Sequence, residues 1–226
     1  MKYYSFTIHK TLLPVRIKKN RILISGMTTH DMIFVSRSEI TLEKEKSELD
    51  NFALDFVKII ERHCDYVLVS GYVSILLGRS RGSEDINILI PKMGREEFFK
   101  LADDITDNGF ECIVSDDKEE MFSYLTEEKT NIRFARKGEV IPNMEVKFVD
   151  NIIHDAAIRD PVSVRLGDEA LKISPIELQI VFKEKILGSD KDVEDARHLR
   201  VIAKDHMDKD KMRRYEAMID GIQREE

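Results

Sequence analysis

The chain has 226 residues, of which 42% are hydrophobic, so it can bury a substantial core in one large domain or two small ones. Its formal charge of -7 argues against a broad electrostatic footprint on nucleic acid, because counterion release needs clustered Lys and Arg facing the phosphates. Cys64 and Cys112 do not form a CxxC pair, so neither a disulfide framework nor a zinc site is suggested. No apolar run approaches the length that crosses a bilayer, and we expect a cytoplasmic protein.

The first part of the chain is predicted to form a small antiparallel piece followed by a helix. Three short runs with strand character, separated by Pro, Asn, Gly and Thr, cover residues 3–8, 21–25 and 32–36. Over residues 47–63 the apolar positions recur at the spacing of one helical face. This pattern predicts a helix that packs on a sheet.

Strand and helix signals then mix along the chain. The predicted strands cover residues 66–69, 86–90, 110–114, 132–135 and 144–149. Helices are predicted near residues 72–77 and 96–107. Such mixing predicts an α/β or α+β domain in which helices cover at least one face of the sheet.

After Asn151 the sequence favours helices. The segment 174–177 has the serine cap, first-turn proline and third-position glutamate of a helix start, and Ser189 opens a further helix. The charged final third carries apolar residues at helical spacing, which is typical of helices that pack by one face. We therefore predict a β extension over residues 1–45, a core over 46–160 and a mainly helical region over 161–226.

A candidate phosphate site follows the strand that ends at Ser70. Gly71 comes next, and a glycine at a strand-to-helix turn lets the backbone approach a ligand while the amides of the new helix favour a phosphate. Arg79 and Arg81 lie a few residues further on, and the planar fork of arginine suits phosphate oxygens. The alternative for both arginines is a solvated turn.

A candidate metal site lies on the next predicted strand. Asp85 and Asn87 are at i and i+2, so strand alternation puts them on one face, with their Cα atoms roughly 7 Å apart. At that separation both oxygens can converge on a magnesium ion that bridges a phosphate tail. Glu145 alternates with apolar residues in a predicted strand and is the candidate third ligand. The alternative for Asp85 is that it only ends a surface loop. The alternative for Glu145 is that it lies on the solvent face of an edge strand.

These residues resemble the nucleotidyltransferase superfamily, whose signature is a hydrophobic residue, Gly, then Gly or Ser, and a gap to Asp-hydrophobic-Asp. The run from Gly71 to Ile88 is most similar to the abortive-infection branch of minimal nucleotidyltransferases from toxin-antitoxin systems and to uncharacterised archaeal relatives. The resemblance covers roughly residues 65–200. It implies an α+β nucleotidyltransferase fold, with a mixed sheet flanked by helices and its core within residues 46–160.

The same resemblance implies chemistry and partners. It implies Mg²⁺ as cofactor, a nucleoside triphosphate as substrate, and transfer of a nucleoside monophosphate to a hydroxyl. The acceptor would be a protein or an RNA, and the genetic partner a cognate toxin or antitoxin. The likeness extends into the C-terminal helices, where it assigns Lys183 and Asp192 or Asp195 to the active site. By pattern alone, the aliphatic part of the Lys183 side chain would lie along the core. The two aspartates would belong to a solvated stripe of charged residues on a helix.

Two residues depart from the family pattern. Tyr72 stands where the family has a small residue, which leaves the phosphate contacts to backbone amides, Ser70 or Ser74. Asn87 replaces the second carboxylate, so its oxygen can still bind magnesium but with one negative charge fewer. Two functions therefore stand side by side: a metal-dependent nucleotidyltransferase, and a non-catalytic interaction protein that keeps the fold. A nucleic-acid-binding module fits the acidic charge poorly.

Overall fold

One mixed β-sheet runs through the protein. The structure is a computed structural model that describes residues 3–8, 11–18, 21–24 and 31–225, with side chains from Met32 to Arg224. The strands are β1 (Tyr3–Ile8), β2 (Thr11–Lys18), β3 (Arg21–Ile24), β4 (Asp31–Phe34), β5 (Glu39–Glu43), β6 (Val67–Val69), β7 (Asp85–Ile90), β8 (Phe110–Cys112), β9 (Ile132–Arg136), β10 (Asn143–Phe148), β11 (Val162–Leu166) and β12 (Glu169–Ile173). Their order in the sheet is β1-β2-β3-β4-β5-β11-β12-β6-β7-β10-β9-β8.

Helices alternate with the later strands and then dominate the C-terminal part. They are α1 (Glu48–Ile60), α2 (Gly71–Leu76), α3 (Arg95–Asp107), α4 (Lys118–Thr126), α5 (Ile152–Arg159), α6 (Ile176–Phe182), α7 (Asp190–Ile202) and α8 (Lys209–Glu225). A π-helical turn, Lys183–Leu187, continues α6. The predicted combination of α and β structure is confirmed. None of the helices in the described part of the chain has the length and apolar composition that a membrane crossing requires.

The predicted helix over residues 47–63 is confirmed as α1. Ser47 begins it through a capping box, in which its Oγ accepts from the Asp50 amide at 3.1 Å and the Asp50 carboxylate accepts from the Ser47 amide at 2.9 Å. The apolar face meets the sheet through Phe56, whose ring lies edge-on to Phe110 with centroids 5.1 Å apart. Both rings are buried, so this contact anchors α1 to β8.

The two central strands β7 and β10 have one apolar and one polar face. Their alternate residues Ile86, Ile88, Ile90, Met144, Val146 and Phe148 are buried. Phe148 packs against Phe98 of α3 and Phe122 of α4, with ring centroids 6.2 Å and 6.4 Å apart. Helices therefore cover the apolar face, and the polar residues of β7 and β10 lie on the other one.

Several elements differ from the sequence prediction. The hairpin β11–β12 lies in the segment predicted to be mainly helical, where it links β5 to β6 in the sheet. Its strands alternate buried and accessible residues, and Gly167 turns the chain with a φ of 65°. β2, β5 and α4 were also not predicted. The predicted strand over residues 21–25 ends at Ser25, which lies outside the described residues.

The start of α6 is shifted by one residue. Pro175, rather than Ser174, occupies the cap position. The Ser174 hydroxyl instead accepts a hydrogen bond from the Gln179 side chain at 3.1 Å. Glu177, predicted to close the cap, accepts from the Asp208 amide at 2.8 Å and so holds the start of α8.

Candidate functional site

The three predicted metal ligands lie on one face of the sheet. β7 and β10 are parallel neighbours, with Asn143 opposite Asp85 and Glu145 opposite Asn87. Partner residues of neighbouring strands point to the same side of a sheet, so Asp85, Asn87 and Glu145 share the polar face. The register therefore places all three side chains within two successive residue pairs on this face, Asp85 with Asn143 and Asn87 with Glu145.

Asp85 and Asn87 have free polar groups. Asp85 is exposed, and no described residue contacts its carboxylate, although its backbone carbonyl accepts from the Ser83 hydroxyl at 3.0 Å. Asn87 is half-buried, and within residues 32–224 its side-chain amide likewise has no hydrogen-bond partner. Two adjacent oxygen donors of this face are thus available to a ligand.

Glu145 is held by an arginine. The Nε of Arg133 donates to the Glu145 Oε1 at 2.8 Å, across the antiparallel pair of β9 and β10. β10 lies between β7 and β9, so Glu145 is not on an edge strand, and that alternative is wrong. The Glu145 side chain is 12% exposed and the Arg133 side chain 51%. The glutamate is therefore partly enclosed, while the arginine reaches it from solvent.

Asn143 is a polar residue of this face that the sequence analysis missed. Its side chain is 7% exposed, and its Nδ2 donates weakly to the Val140 carbonyl at 3.5 Å. Its Oδ1 is buried and accepts no hydrogen bond from any described residue. A buried acceptor without a donor is costly, and this unsatisfied oxygen lies beside Asp85 on the polar face. The signal was present in the alternation of Asn143 and Glu145 with apolar residues.

The strand-to-helix turn beside these residues has an unusual backbone. Ser70 has φ 65° and ψ -138°, a region that a residue with a Cβ adopts only at a cost. Val69 pairs with Asn87 in the antiparallel β6–β7 ladder, so the turn lies at the Asp85 end of β7. Strained backbone clusters at ligand sites, and this turn is where the phosphate contacts were predicted.

Gly71 permits a close approach by an arginine side chain. A Cβ at this position would lie 2.0 Å from the Nη2 of Arg81, so the guanidinium packs directly on the backbone of the turn. The same nitrogen donates to the Asp195 Oδ2 at 3.2 Å. The Arg81 Nε is buried and has no partner among the described residues. A positive charge is therefore fixed against the predicted phosphate turn.

Arg81 belongs to a cluster of charged side chains that we call the buried ion cluster: Arg79, Arg81, Lys183, Asp192 and Asp195. Lys183 and Asp195 are both 0% exposed, and the lysine Nζ donates to Asp195 at 3.0 Å and to Asp192 at 3.3 Å. The Arg79 Nε donates to the other Asp195 oxygen at 2.7 Å. Arg79 and Arg81 are therefore not in a solvated turn. The Lys183 amine does not extend to solvent, and Asp192 and Asp195 do not form a solvated stripe.

Local structure explains how α7 reaches the turn. Lys183 opens the π-helical turn after α6, and such turns are often found at functional sites. Ser189 caps α7, its Oγ accepting from the Asp192 amide at 3.3 Å. The Nε2 of His198 donates to the Leu77 carbonyl at 3.0 Å and ties α7 to the end of α2. Burial lowers the pKa of His198, so the imidazole is a neutral donor there.

Tyr72 points away from the turn. It is buried, and its hydroxyl donates to the Asp50 Oδ1 at 2.8 Å. Burial acts to raise the pKa of Asp50, but the contacts with Lys44 and Ser47 outweigh it and lower the pKa. Ser74 is also fully buried, and its Oγ has no partner in the described part of the chain. Of the predicted phosphate contacts, only Ser70, Gly71 and Arg81 are thus at the turn.

The polar face offers oxygen ligands but no protein-only metal cage. Among the described residues, no three His, Cys, Asp or Glu side chains are grouped so that they could hold a metal ion. Asp85, Glu145, Asn87 and the orphaned Oδ1 of Asn143 provide two carboxylates and two amides. Mg²⁺ is usually held by one or two carboxylates together with substrate phosphates. The donor set therefore fits a magnesium ion that is shared with a phosphate ligand.

The fold and the site geometry show an α+β protein in which a polar sheet face lies beside a strained strand-to-helix turn. No family model matches the chain, and no curated protein matches it. The function must therefore be inferred from the residues on the polar face and around the turn.

Proposed function

We propose that the protein has a nucleotidyltransferase fold, binds a nucleoside triphosphate with Mg²⁺, and transfers the nucleoside monophosphate to an acceptor hydroxyl. The main support is the shared face of Asp85, Asn87 and Glu145 beside the Ser70–Gly71 turn. The side-chain oxygens of Asp85 and Asn87, which have no hydrogen-bond partner among the described residues, support it further. So does the resemblance of the run from Gly71 to Ile88 to the nucleotidyltransferase superfamily.

Each part of the site has a role in this proposal. Asp85, Asn87 and Glu145 hold the metal, which when bound polarises the α-phosphate. The Gly71 amide and Ser70 hold the phosphate tail, and Arg81 adds positive charge at the turn. The acceptor oxygen bonds to the α-phosphorus, pyrophosphate leaves, and the hydroxyl proton passes to water.

Lys183 and Asp192 are positioning residues in this scheme. Lys183 is 0% exposed, so it reaches no substrate; it acts through Asp195, which it shares with Arg79 and Arg81. Arg81 is thereby held against the turn. The acceptor in this proposal is a protein or an RNA, the genetic partner is a cognate toxin or antitoxin, and the setting is the cytoplasm.

Nucleotide binding can be measured directly. Millimolar ATP, GTP, CTP or UTP with Mg²⁺ should raise the melting temperature, because a ligand at ten times its Kd adds about 1.4 kcal/mol to the folded state. For a chain of this length that is roughly 3–6 °C. Differential scanning fluorimetry with each nucleotide, with and without EDTA, is the measurement. If no triphosphate shifts the transition, the proposal is wrong.

A second candidate is a catalytically impaired protein of the same fold that acts as an interaction partner, such as a toxin-antitoxin component. Two observations favour it: Asn87 supplies no charge, and Arg133 neutralises Glu145. Both reduce the negative charge on which affinity for a hard dication depends. Transfer activity of the unmodified protein would exclude this candidate.

The substitution Asn87→Asp separates the two functions. It restores a carboxylate opposite Glu145, and the added charge should raise Mn²⁺ affinity by about tenfold or more, the size of one charged contact. Isothermal titration with Mn²⁺ measures the change. A matched control is Asn51→Asp on the exposed side of α1, where no described residue hydrogen-bonds the side chain and the affinity should be unchanged. Transfer activity that appears only in Asn87→Asp identifies the natural protein as impaired.

A further inference from the structure

The ion pair between Arg133 and Glu145 lies on the polar face where the metal is proposed to bind. The two residues are direct partners across β9 and β10, and Arg133 is the only described residue that binds the Glu145 carboxylate. We infer that Arg133 and a divalent cation compete for Glu145, so that this ion pair sets the metal affinity of the polar face. The inference rests on the proposed function, because it concerns the same site.

The charges that face Glu145 show why the guanidinium and a dication compete for it. Asp85 and Glu145 give the face two negative charges, and Arg133 cancels one of them. Lys147, two residues along β10, is engaged by Asp150 at 3.4 Å and adds little. The side-chain amides of Asn87 and Asn143 contribute oxygens without charge. A dication at Glu145 would meet the guanidinium at close range, so it binds only when Arg133 moves away.

Arg133 is free to move. Its side chain is 51% exposed, so water can solvate the guanidinium when it leaves Glu145, whose own side chain is 12% exposed. A polyphosphate would attract the dication and the released guanidinium together. The site would then hold a bare dication weakly and bind more tightly one that arrives with an anionic, metal-chelating ligand, which is the ligand class that a nucleoside triphosphate represents.

Competition can be measured without nucleotide. Mn²⁺ binding, followed by the electron paramagnetic resonance signal of the unbound ion, is compared between the natural protein and Arg133→Gln. The variant should bind Mn²⁺ about fivefold more tightly, since the competing ion pair is gone. In a Glu145→Gln background, adding Arg133→Gln should not change the Mn²⁺ affinity. No carboxylate then remains at position 145 for the guanidinium and the cation to compete for.

A matched control lies on the same strand. Arg136 is also partly exposed, but its guanidinium lies over the rings of Phe52 and Phe110 and pairs with Asp55 on the helix-covered face. Arg136→Gln should therefore leave the Mn²⁺ affinity unchanged, with melting temperatures reporting any loss of folding.

Three results would overturn the inference. The first is equal Mn²⁺ affinity in the natural protein and Arg133→Gln, even if the melting temperature falls, because that is the behaviour of a purely structural pair. The second is a gain that persists in the Glu145→Gln background, because that indicates long-range charge. The third is an equal gain in Arg136→Gln.

A separate arm tests the proposed function. Stabilisation by Mg²⁺ with a triphosphate, together with unchanged Mn²⁺ affinity in Arg133→Gln, would retain the function and reject the competition. A Mn²⁺ gain that depends on Glu145, in a protein that no triphosphate stabilises, would retain the competition and reject nucleotide binding.

Discussion

Asp195→Asn is expected to lower the free energy of unfolding by about 3–5 kcal/mol, the cost of leaving a buried charge without its partner. Asp195 is 0% exposed and binds Arg79, Arg81 and Lys183 at 2.7, 3.2 and 3.0 Å. The amide keeps the size of the side chain but removes the only charge that all three cations share. Lys183, also fully buried, is left with Asp192 alone at 3.3 Å. Urea unfolding followed by circular dichroism measures the change.

The control is an aspartate with an equally direct ion pair in solvent. Asp210 binds Arg213 at 2.7 Å, but the two side chains are 80% and 73% exposed. Asp210→Asn should leave the urea midpoint unchanged, because exposed pairs contribute little. A loss below about 1 kcal/mol in Asp195→Asn would mean that water or a neutral lysine relieves the cluster.

The buried ion cluster connects stability to the site. Asp195 holds Arg81 against Gly71, so the same contact that joins α7 to the loop after α2 also fixes the positive charge at the turn. Residues that bury charge in this way are costly unless they are fully paired. From the sequence, the arginines were predicted phosphate contacts and the lysine and aspartates were assigned to the active site by resemblance, whereas the structure joins them in one network.

Local periodicity accounts for what the sequence could predict. Period-two alternation identified β7 and β10 and put Asp85 and Asn87 on one face. Helical spacing and the serine cap identified α1. These signals arise from neighbouring residues and therefore appear in a short window. The hairpin β11–β12 also had an alternating pattern, but its strands are short and adjoin strong helix signals.

Long-range pairing accounts for what was missed. One of the two neighbours of β7 is β10, more than fifty residues later, and only their register shows that Glu145 lies opposite Asn87. Arg133 and Asn143 acquired significance only through the same pairing. The contact of Arg79 with Asp195 spans 116 residues. Family resemblance, rather than pattern, singled out Lys183, because a lysine among apolar residues usually keeps its amine in water.

Asp85→Asn is expected to weaken magnesium-dependent nucleotide binding by about 10- to 100-fold, the value of one contact between a charged oxygen and its ligand. Asp85 supplies one of two carboxylates on the polar face, and Arg133 already neutralises the other. Its removal leaves a donor set with almost no net negative charge. Isothermal titration with Mg²⁺ and the triphosphate that stabilises the protein best is the measurement.

Stability distinguishes a ligand-binding aspartate from a structural one. No described side chain or amide binds the Asp85 carboxylate, so Asp85→Asn should melt at the same temperature as the natural protein in the absence of ligand. Glu84→Gln is the matched control, because it removes the adjacent exposed carboxylate, which belongs to the bend before β7 rather than to the strand. Equal nucleotide affinity in both variants would remove Asp85 from the site. Loss confined to Asp85→Asn at constant stability would mean that a carboxylate with no structural partner serves a ligand, and the polar face beside Gly71 would then be where the ligand binds.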